Sequence, residues 1–319
     1  MTTLREMKLS VIVCTHNPRP GYLSRTLDAL RAQTMQYTDW EVILVDNASA
    51  GPLASRIDLS WHPRGIHVRE EELGLTPARL NGIAKAKGDL LIFVDDDNVV
   101  QRDYLEVSSR LATTYPHLGA FGGSIKAEFE AEPDPRLQAL LPGLAIRAVK
   151  GAKWANFGTD AVPFGAGLCV RAKVAQAYAA KANGSDIRLS LDRRGNSLMG
   201  GGDLDLAMTS YDLGMGVGLF GELVVTHLTD KRRLSRQYLH EVCERGAYGF
   251  YIVRYLHAGI APQYRGTIGF VVDSFKRLIR TCLGRPWTPA EKASREAERR
   301  AARDIHLLNM NRKIEIQQM

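Results

Sequence analysis

Along the first hundred residues, short apolar runs alternate with stretches whose apolar residues recur at helical spacing. "LSVIVCT" (Leu9 to Thr15) is a continuous apolar run that gives way to the turn-rich "HNPRPG". In the "YLSRTLDALRAQT" that follows, Leu23, Leu27 and Leu30 repeat with a helical period. "WEVILVDNAS" repeats the pattern with a second buried strand that ends on Asp46, Asn47 and Ser49. "TPARLNGIAKAKGD" reads as a helix with Thr76 as its cap and Pro77 in its first turn, closed near Gly88. Then "LLIFV" runs directly into Asp95, Asp96 and Asp97. Strands alternating with helices predict an α/β fold with a mostly parallel central sheet and helices on both faces.

Beyond Tyr104 the pattern is less regular. "GAFGGSIKAEF" and "AVPFGAGLCVRA" read as further strands, and "KANGSDIRLSLDRRGNSLM" (Lys181 to Met199) as a polar surface loop or a lid. A helix is expected to start at Asp203 and Asp205 in "GGGDLDLAMTSYDLG". "GELVVTHLTDKRRLSRQYLHEV" reads as a strand ending at His227, followed by a basic helix. No internal repeat is visible.

Three successive carboxylates after a buried strand repel one another and resist leaving water. One Asp suffices for a turn, so the triplet calls for solvent or a cation. In open α/β sheets ligands bind outside the carboxyl ends of the strands. All three apolar runs end there in polar groups: Thr15 and Asn17, Asp46 and Asn47, Asp95 to Asp97. That convergence predicts a binding site. The chain has no G-x-G-x-x-G after its first strand and no G-x-x-x-x-G-K-[ST], so a typical dinucleotide fold and a P-loop are excluded.

Composition adds a setting. With 319 residues, 45% hydrophobic and 24% charged, the chain can bury one substantial core with an appendage. Its four cysteines are widely spaced and are read as reduced thiols. The start "MTTLREMKLS" has no apolar signal region, and no run approaches the roughly 18 apolar residues of a spanning helix, so a cytoplasmic location is expected. The net charge of +7 is uneven: Lys231 to Met319 holds 18 Lys+Arg against 8 Asp+Glu, and residues 1 to 230 hold 24 against 27. The basic tail lacks any zinc, helix-turn-helix or RNA-binding signature, so nucleic acid is not the expected partner. An anionic membrane surface at the inner face, an acidic lipid-linked substrate, or simply solvated helix faces are the readings left open.

"VIVCTHN", "EVILVDNAS", "GLTPARLNGIAKAKGDLLIFVDDDN", "GAGLCVRA", "GGGDLDLA" and "VVTHLTDKRR", in this order, resemble the inverting family 2 glycosyltransferases over about residues 8 to 240. The resemblance implies a GT-A type, Rossmann-like nucleotide-sugar-binding domain, with a catalytic domain over residues 1–230 and a basic, mainly helical extension over 231–319. It implies transfer of a sugar from a nucleoside-diphosphate donor, uridine being the family's commonest base, to a saccharide or lipid-linked saccharide hydroxyl. That chemistry belongs to polysaccharide and cell-envelope biosynthesis.

By the same match "DDD" is the family's D-x-D motif. Asp97 is the implied metal ligand, Asp95 lies towards the ribose or a metal-bound water, and Asp96 is the third, cofactor-binding residue of the motif. His227 is a further metal contact, for Mn²⁺ in preference to Mg²⁺. Thr15, Asn17 and Asp46 are implied to surround the nucleoside, and Arg79 the base or diphosphate. The family's A-R-N reads "ARLN" here, leaving open whether Asn81 substitutes. Asp203 is the implied general base, with Asp205 as an alternative; the family's Glu before it is Gly202. Lys231, Arg232 and Arg233 are placed near the diphosphate. Trp154, Phe164 and Tyr211 are either sugar-stacking rings or core.

Two other readings keep the fold. A nucleotidyltransferase that makes the nucleotide-sugar would present a Gly-rich basic loop after the first strand, which "THNPRPG" fits poorly. A non-catalytic nucleotide-sugar-binding protein is opposed by the joint presence of Asp97, Asp203 and His227. In the tail, "GTIGFVVDSFKRLIRTCL" (Gly266 to Leu283) is an amphipathic segment for a membrane interface or for packing on the protein. "TPAEKASREAERRAARDIHLLNMNRKIEI" reads as a solvent-facing helix capped by Thr288.

Overall fold

The computed structural model describes residues 8–264, 276, 280 and 287–318, with side chains to residue 310. The amphipathic segment expected at 266–283 therefore lies outside the described residues, apart from Lys276 and Arg280. The chain divides into two compact units. One comprises the chain to Glu132 with Ala145–Ser197 and Gly202–Lys231; the other comprises Pro133–Leu144, Leu198–Gly201 and the chain from Arg232 onward.

The first unit is built on a single sheet. Its strands are β1 (Leu9–Thr15), β2 (Trp40–Asn47), β3 (Gly65–Glu70), β4 (Leu90–Asp95), β5 (Asn98–Val100), β6 (Leu118–Phe129), β7 (Ala152–Ala155), β8 (Leu168–Arg171) and β9 (Gly216–Thr229). Their spatial order is β3-β2-β1-β4-β8-β6-β9-β5, with β7 paired to β9. β1 pairs in parallel with β2 and β4, and β2 with β3, so the expected parallel sheet forms one half. The other half is mixed: β8 runs antiparallel between β4 and β6, while β6 and β9 are parallel.

Every residue of β1 and β2 is buried, as their unbroken apolar runs require of strands covered on both faces. On one face α1 (Pro20–Arg31) turns Leu23, Thr26, Leu27 and Leu30 inward. α2 (Leu75–Lys85) lies so close to the sheet that a Cβ at Gly82 would stand 2.5 Å from Ile12 Cγ2. The remaining helices of this unit are α3 (Tyr104–Thr114), α4 (Ala172–Ala182), α5 (Asp186–Leu189) and α6 (Gly202–Asp212).

Register decides where the polar strand ends meet. Thr15 stands opposite Asp46, and Cys14 opposite both Val45 and Asp95. The three ends therefore share one edge of the sheet.

Three local expectations change. Thr76 is not the cap of α2. Gly74, at φ 147°, takes that position, its N–H donating to Asn47 Oδ1 at 2.8 Å, and Thr76 is buried in the first turn. The strand read in "AVPFGAGLCVRA" shrinks to β8, because Gly167 adopts a left-handed φ of 71° that strand backbone does not use. β9 continues past His227 to Thr229, held by its pairing with β6.

In the second unit α7 (Arg236–Ala258) starts at Ser235, whose Oγ accepts from Tyr238 N at 3.3 Å, and stops at Gly259 with φ 65°. The final helix, Pro289–Gln318, starts with the expected Thr288 cap as a reciprocal pair. Glu291 N donates to Thr288 Oγ1 at 3.2 Å and Thr288 N to Glu291 Oε2 at 2.7 Å. It is not solvent-facing all round. Ala293, Ala297, Ala301 and Ile305 recur every four residues and are buried, a stripe of mostly small side chains along which another helix can approach closely. Arg300 reaches back to α7, pairing with Glu244 at 2.9 Å over the Tyr248 ring. Among the described residues no helix is long and apolar enough to cross a membrane.

Candidate functional site

The site is assembled at the shared strand edge. β1 ends at Thr15, whose Oγ1 donates to Asp96 Oδ2, tying the first loop to the acidic turn after β4. Asn17 sits in left-handed backbone, φ 46°, a conformation Asn tolerates. Its N–H donates to Ser49 Oγ at 2.9 Å, and its Oδ1 accepts from Ala50 N at 2.9 Å. His16 Nδ1 lies 2.6 Å from Asn47 O, locking the same two loops together.

Asp46 organises the loop after β2. Its carboxylate accepts from Ser49 N at 3.2 Å, Leu53 N at 2.9 Å and Arg69 Nη1 at 2.8 Å. Burial works to raise its pKa, but these donors together outweigh burial and hold the carboxyl below its ordinary range. The Ser49 hydroxyl acts on the same carboxylate, so the loop itself occupies its roughly four lone-pair directions.

The aspartate triplet divides its roles by position. Asp97 is buried. Its Oδ1 accepts from Asn98 Nδ2 at 2.9 Å, and its Oδ2 lies 3.4 Å from His227 Nε2. The antiparallel pairing of β5 with β9 sets Asn98 opposite His227 and so delivers the histidine to the aspartate. Asp95, half-buried, is raised above the usual carboxylate range by burial first, with Arg79 opposing and the Asp97 charge adding. Among the described residues no group of three or more His, Cys, Asp or Glu is spaced to hold a metal ion. Asp97 and His227 make a two-donor set, which suits a divalent ion that takes its remaining ligands from phosphate and water.

Arg79 lies at the centre of the site. It is 3% exposed, and its Nη1 donates to Asp192 Oδ2 at 2.8 Å. Burial opposes its charge, but Asp192, Asp95 and Asp203 outweigh burial and raise its pKa. A Cβ at Gly165 would stand 2.9 Å from Arg79 Nη2 and 3.3 Å from Asp203 Oδ2, so glycine there lets the backbone into the site. Gly165 N uses that access to donate to Asp203 Oδ2 at 2.7 Å, while Leu204 N donates to Asp203 Oδ1 at 2.9 Å. Arg147, half-buried, stacks 3.7 Å over the Phe164 ring and donates to Val162 O at 2.8 Å. Burial lowers its pKa and the Asp203 charge opposes that shift, so a second guanidinium attends this carboxylate.

Asp203 and Asp205 separate clearly. Asp203 is partly exposed at the start of α6, whereas Asp205 is fully buried in an ion pair with Arg188 Nη1. Asn81 Nδ2 donates to Glu70 Oε2 at 2.9 Å and to Arg69 O at 3.3 Å, at the end of β3. Among the aromatic candidates, Phe164 carries Arg147, and Tyr211 donates its hydroxyl to Gly158 O at 3.0 Å. Trp154 is 51% exposed and lies 5.4 Å from the Tyr115 ring.

Sequence reasoning missed Asp192. Its segment is neither lid nor surface loop at this point: Asp192 is buried, and the carbonyl of its neighbour Arg193 accepts from Leu75 N at 2.9 Å. Thr76 Oγ1 donates to Asp192 Oδ2 at 3.0 Å. Burial pushes the Asp192 carboxyl up to about 6, with Arg79 opposing and Asp203 adding. Gly202 now has a structural cause, because a Cβ there would overlap the Asp192 carboxylate.

A parallel half-sheet with converging carboxylates at its edge, continued by a mixed half, is the GT-A type of fold. Solved structures of Staphylococcus aureus TarS share it. The 1-349 fragment superposes with a TM-score of 0.51 at 17% identity, covering 76% of this chain and 65% of that one. The longer TarS structure gives 0.51 at 18% identity, covering 80% and 40%. Residues 10–165, just under half of the chain, match the model of glycosyl transferase family 2, so this part has the family 2 glycosyltransferase fold.

Curated relatives include the glycosyltransferase GlyA of Streptococcus pneumoniae, 30% identical over 34% of this chain and 15% of its own length. The glucosyl-dolichyl phosphate glucuronosyltransferase of Haloferax volcanii is 25% identical over 39% and 40%. The poly(ribitol-phosphate) beta-N-acetylglucosaminyltransferase TarS of Staphylococcus aureus is 28% identical over 31% and 18%. The chain thus spans well under two thirds of the length of each of these relatives.

Proposed function

We propose that this protein is an inverting glycosyltransferase that moves one sugar from a nucleoside-diphosphate donor, with uridine as the expected base, to a saccharide or lipid-linked saccharide hydroxyl. The observation that carries this reading is the juxtaposition around Gly165. A partly exposed carboxylate, Asp203, is held by two backbone N–H groups beside a buried guanidinium, Arg79. Asp97, in the turn just before β5, lies beside His227 on β9, the strand that β5 pairs with.

In this mechanism the nucleoside lies against Thr15, Asn17 and Asp46. The two N–H bonds orient the Asp203 carboxylate, which takes the proton of the acceptor hydroxyl as that oxygen bonds to the anomeric carbon. The bond from that carbon to the diphosphate oxygen breaks, and the pair of electrons leaves on the diphosphate. Asp97 and His227 would hold a divalent cation, Mn²⁺ or Mg²⁺, which when bound neutralises the departing diphosphate. Asp95 and Asp96 lie beside that centre, towards the ribose. The curated relatives named for glucosyl-dolichyl phosphate and poly(ribitol-phosphate) support a lipid-linked or polymeric acceptor. The excess of 18 Lys+Arg over 8 Asp+Glu from Lys231 onward supports peripheral contact with an anionic membrane face.

The test is donor turnover by the wild type and Asp203→Asn, using a panel of nucleoside-diphosphate sugars with Mn²⁺. Turnover of one donor that falls roughly a hundredfold or more in the variant, with nucleotide binding kept, supports Asp203 as base. A variant as active as the wild type removes it from that role.

A further inference from the structure

Asp192 lies 113 residues along the chain from the arginine it holds. Its Oδ2 takes both Arg79 Nη1 at 2.8 Å and Thr76 Oγ1 at 3.0 Å, and all three side chains are buried. The guanidinium is therefore divided. One nitrogen is committed to Asp192, and the other, Nη2, points to Gly165, where the Asp203 carboxylate also arrives. Asp192, Asp95 and Asp203 all act on this one cation. A buried cation shared by several carboxylates changes each according to which one it pairs with.

We propose that Asp192 is a positioning residue: it holds Arg79 in an ion pair of its own, keeping the guanidinium from closing on Asp203 and leaving that carboxylate able to accept a proton. The inference rests on the reading of Asp203 as the base. The fold is arranged around this pair. Thr76 is drawn from capping into the hydrogen bond, the N–H of Leu75 anchors the neighbouring Arg193 carbonyl, and position 202 lacks a side chain because the carboxylate occupies that volume. A side chain at 202 and the Asp192 carboxylate are alternatives for one space. A carboxylate supplied from 202 therefore enters the same region once residue 192 is shortened.

The experiment uses the full chain and four variants: Asp192→Asn, Asp192→Ala, Gly202→Asp, and Asp192→Ala combined with Gly202→Asp. Nucleotide affinity is read by calorimetry with UDP, GDP and dTDP in Mn²⁺. Turnover is read as hydrolysis of whichever donor sugar the wild type consumes, and circular dichroism gives the folded fraction. Asp192→Asn and Asp192→Ala are expected to lose roughly a hundredfold in kcat, with nucleotide Kd and donor KM held within about threefold. The double variant is expected to regain at least about tenfold over Asp192→Ala, and Gly202→Asp alone to be impaired by overlap. A wild-type kcat per folded molecule in Asp192→Asn, or a kcat loss matched by an equal loss of nucleotide affinity, overturns the inference and leaves the donor-site reading standing. A wild type that binds none of the nucleotides and consumes no donor overturns both.

Discussion

Asp203 and Asp205 are separated by one leucine on the first turn of α6, and their surroundings give them opposite properties. Asp203 is partly exposed and held by the N–H groups of Gly165 and Leu204, while Asp205 is fully buried against Arg188. Asp205→Asn leaves the Arg188 charge buried without its partner, so it should lower stability by about 3 kcal/mol, measured by urea unfolding. Asp203→Asn should leave the unfolding midpoint nearly unchanged and remove turnover. Gly165→Ala should also impair turnover, because its methyl group would crowd Arg79 Nη2 at 2.9 Å. Which aspartate was available could not be read from "GDLDLA". Spacing placed both on one turn, and only the packing of Arg188 distinguishes them. Asp192 was invisible for a related reason: its partner Arg79 is distant in sequence, and "LDRRG" carries the composition of a loop.

At the level of elements, the strand ends were legible and the edges were not. β1, β2 and β4 announce themselves because strands covered on both faces must be apolar throughout, and polar residues can enter only where the sheet opens. β3, β5 and β7 are short or half-exposed, so no periodicity marks them. β5 nevertheless matters, because its pairing with β9 brings His227 to Asp97. The final helix was legible in its start, since Thr288 and Glu291 form a capping box, but its buried alanine stripe was hidden among charges. Replacing Ala297, which is fully buried, by Leu should overpack that face and cost about 1 to 3 kcal/mol, seen as a lower thermal midpoint. Thr288→Ala should cost about 1 kcal/mol through loss of the cap.

Across the whole molecule, the aromatic cluster at the base of β2 couples stability to pH. His62 is 3% exposed among Tyr37, Trp40 and Trp61, and its Nδ1 accepts from Arg64 N at 3.1 Å. Burial lowers its pKa from 6.5 to about 4, with the Arg64 charge acting in the same direction. Between those values the unfolded chain binds the proton and the folded protein does not, so stability falls as pH falls through this window. The loss approaches about 3 kcal/mol by pH 4. His62→Phe should flatten that dependence in urea titrations at pH 7 and pH 4.5. The cluster lies away from the carboxylate edge, so the same substitution should spare nucleotide binding.

The central claim is that the carboxylate edge of the sheet binds a nucleoside diphosphate with a divalent cation. It is tested most directly by calorimetric titration of UDP, GDP and dTDP into the protein with Mn²⁺ and then with EDTA, on the wild type and Asp97→Ala. The account predicts that one nucleotide binds, that EDTA abolishes the binding, and that Asp97→Ala loses it while remaining folded. Binding of no nucleotide under any condition, or binding indifferent to both EDTA and Asp97, would contradict it.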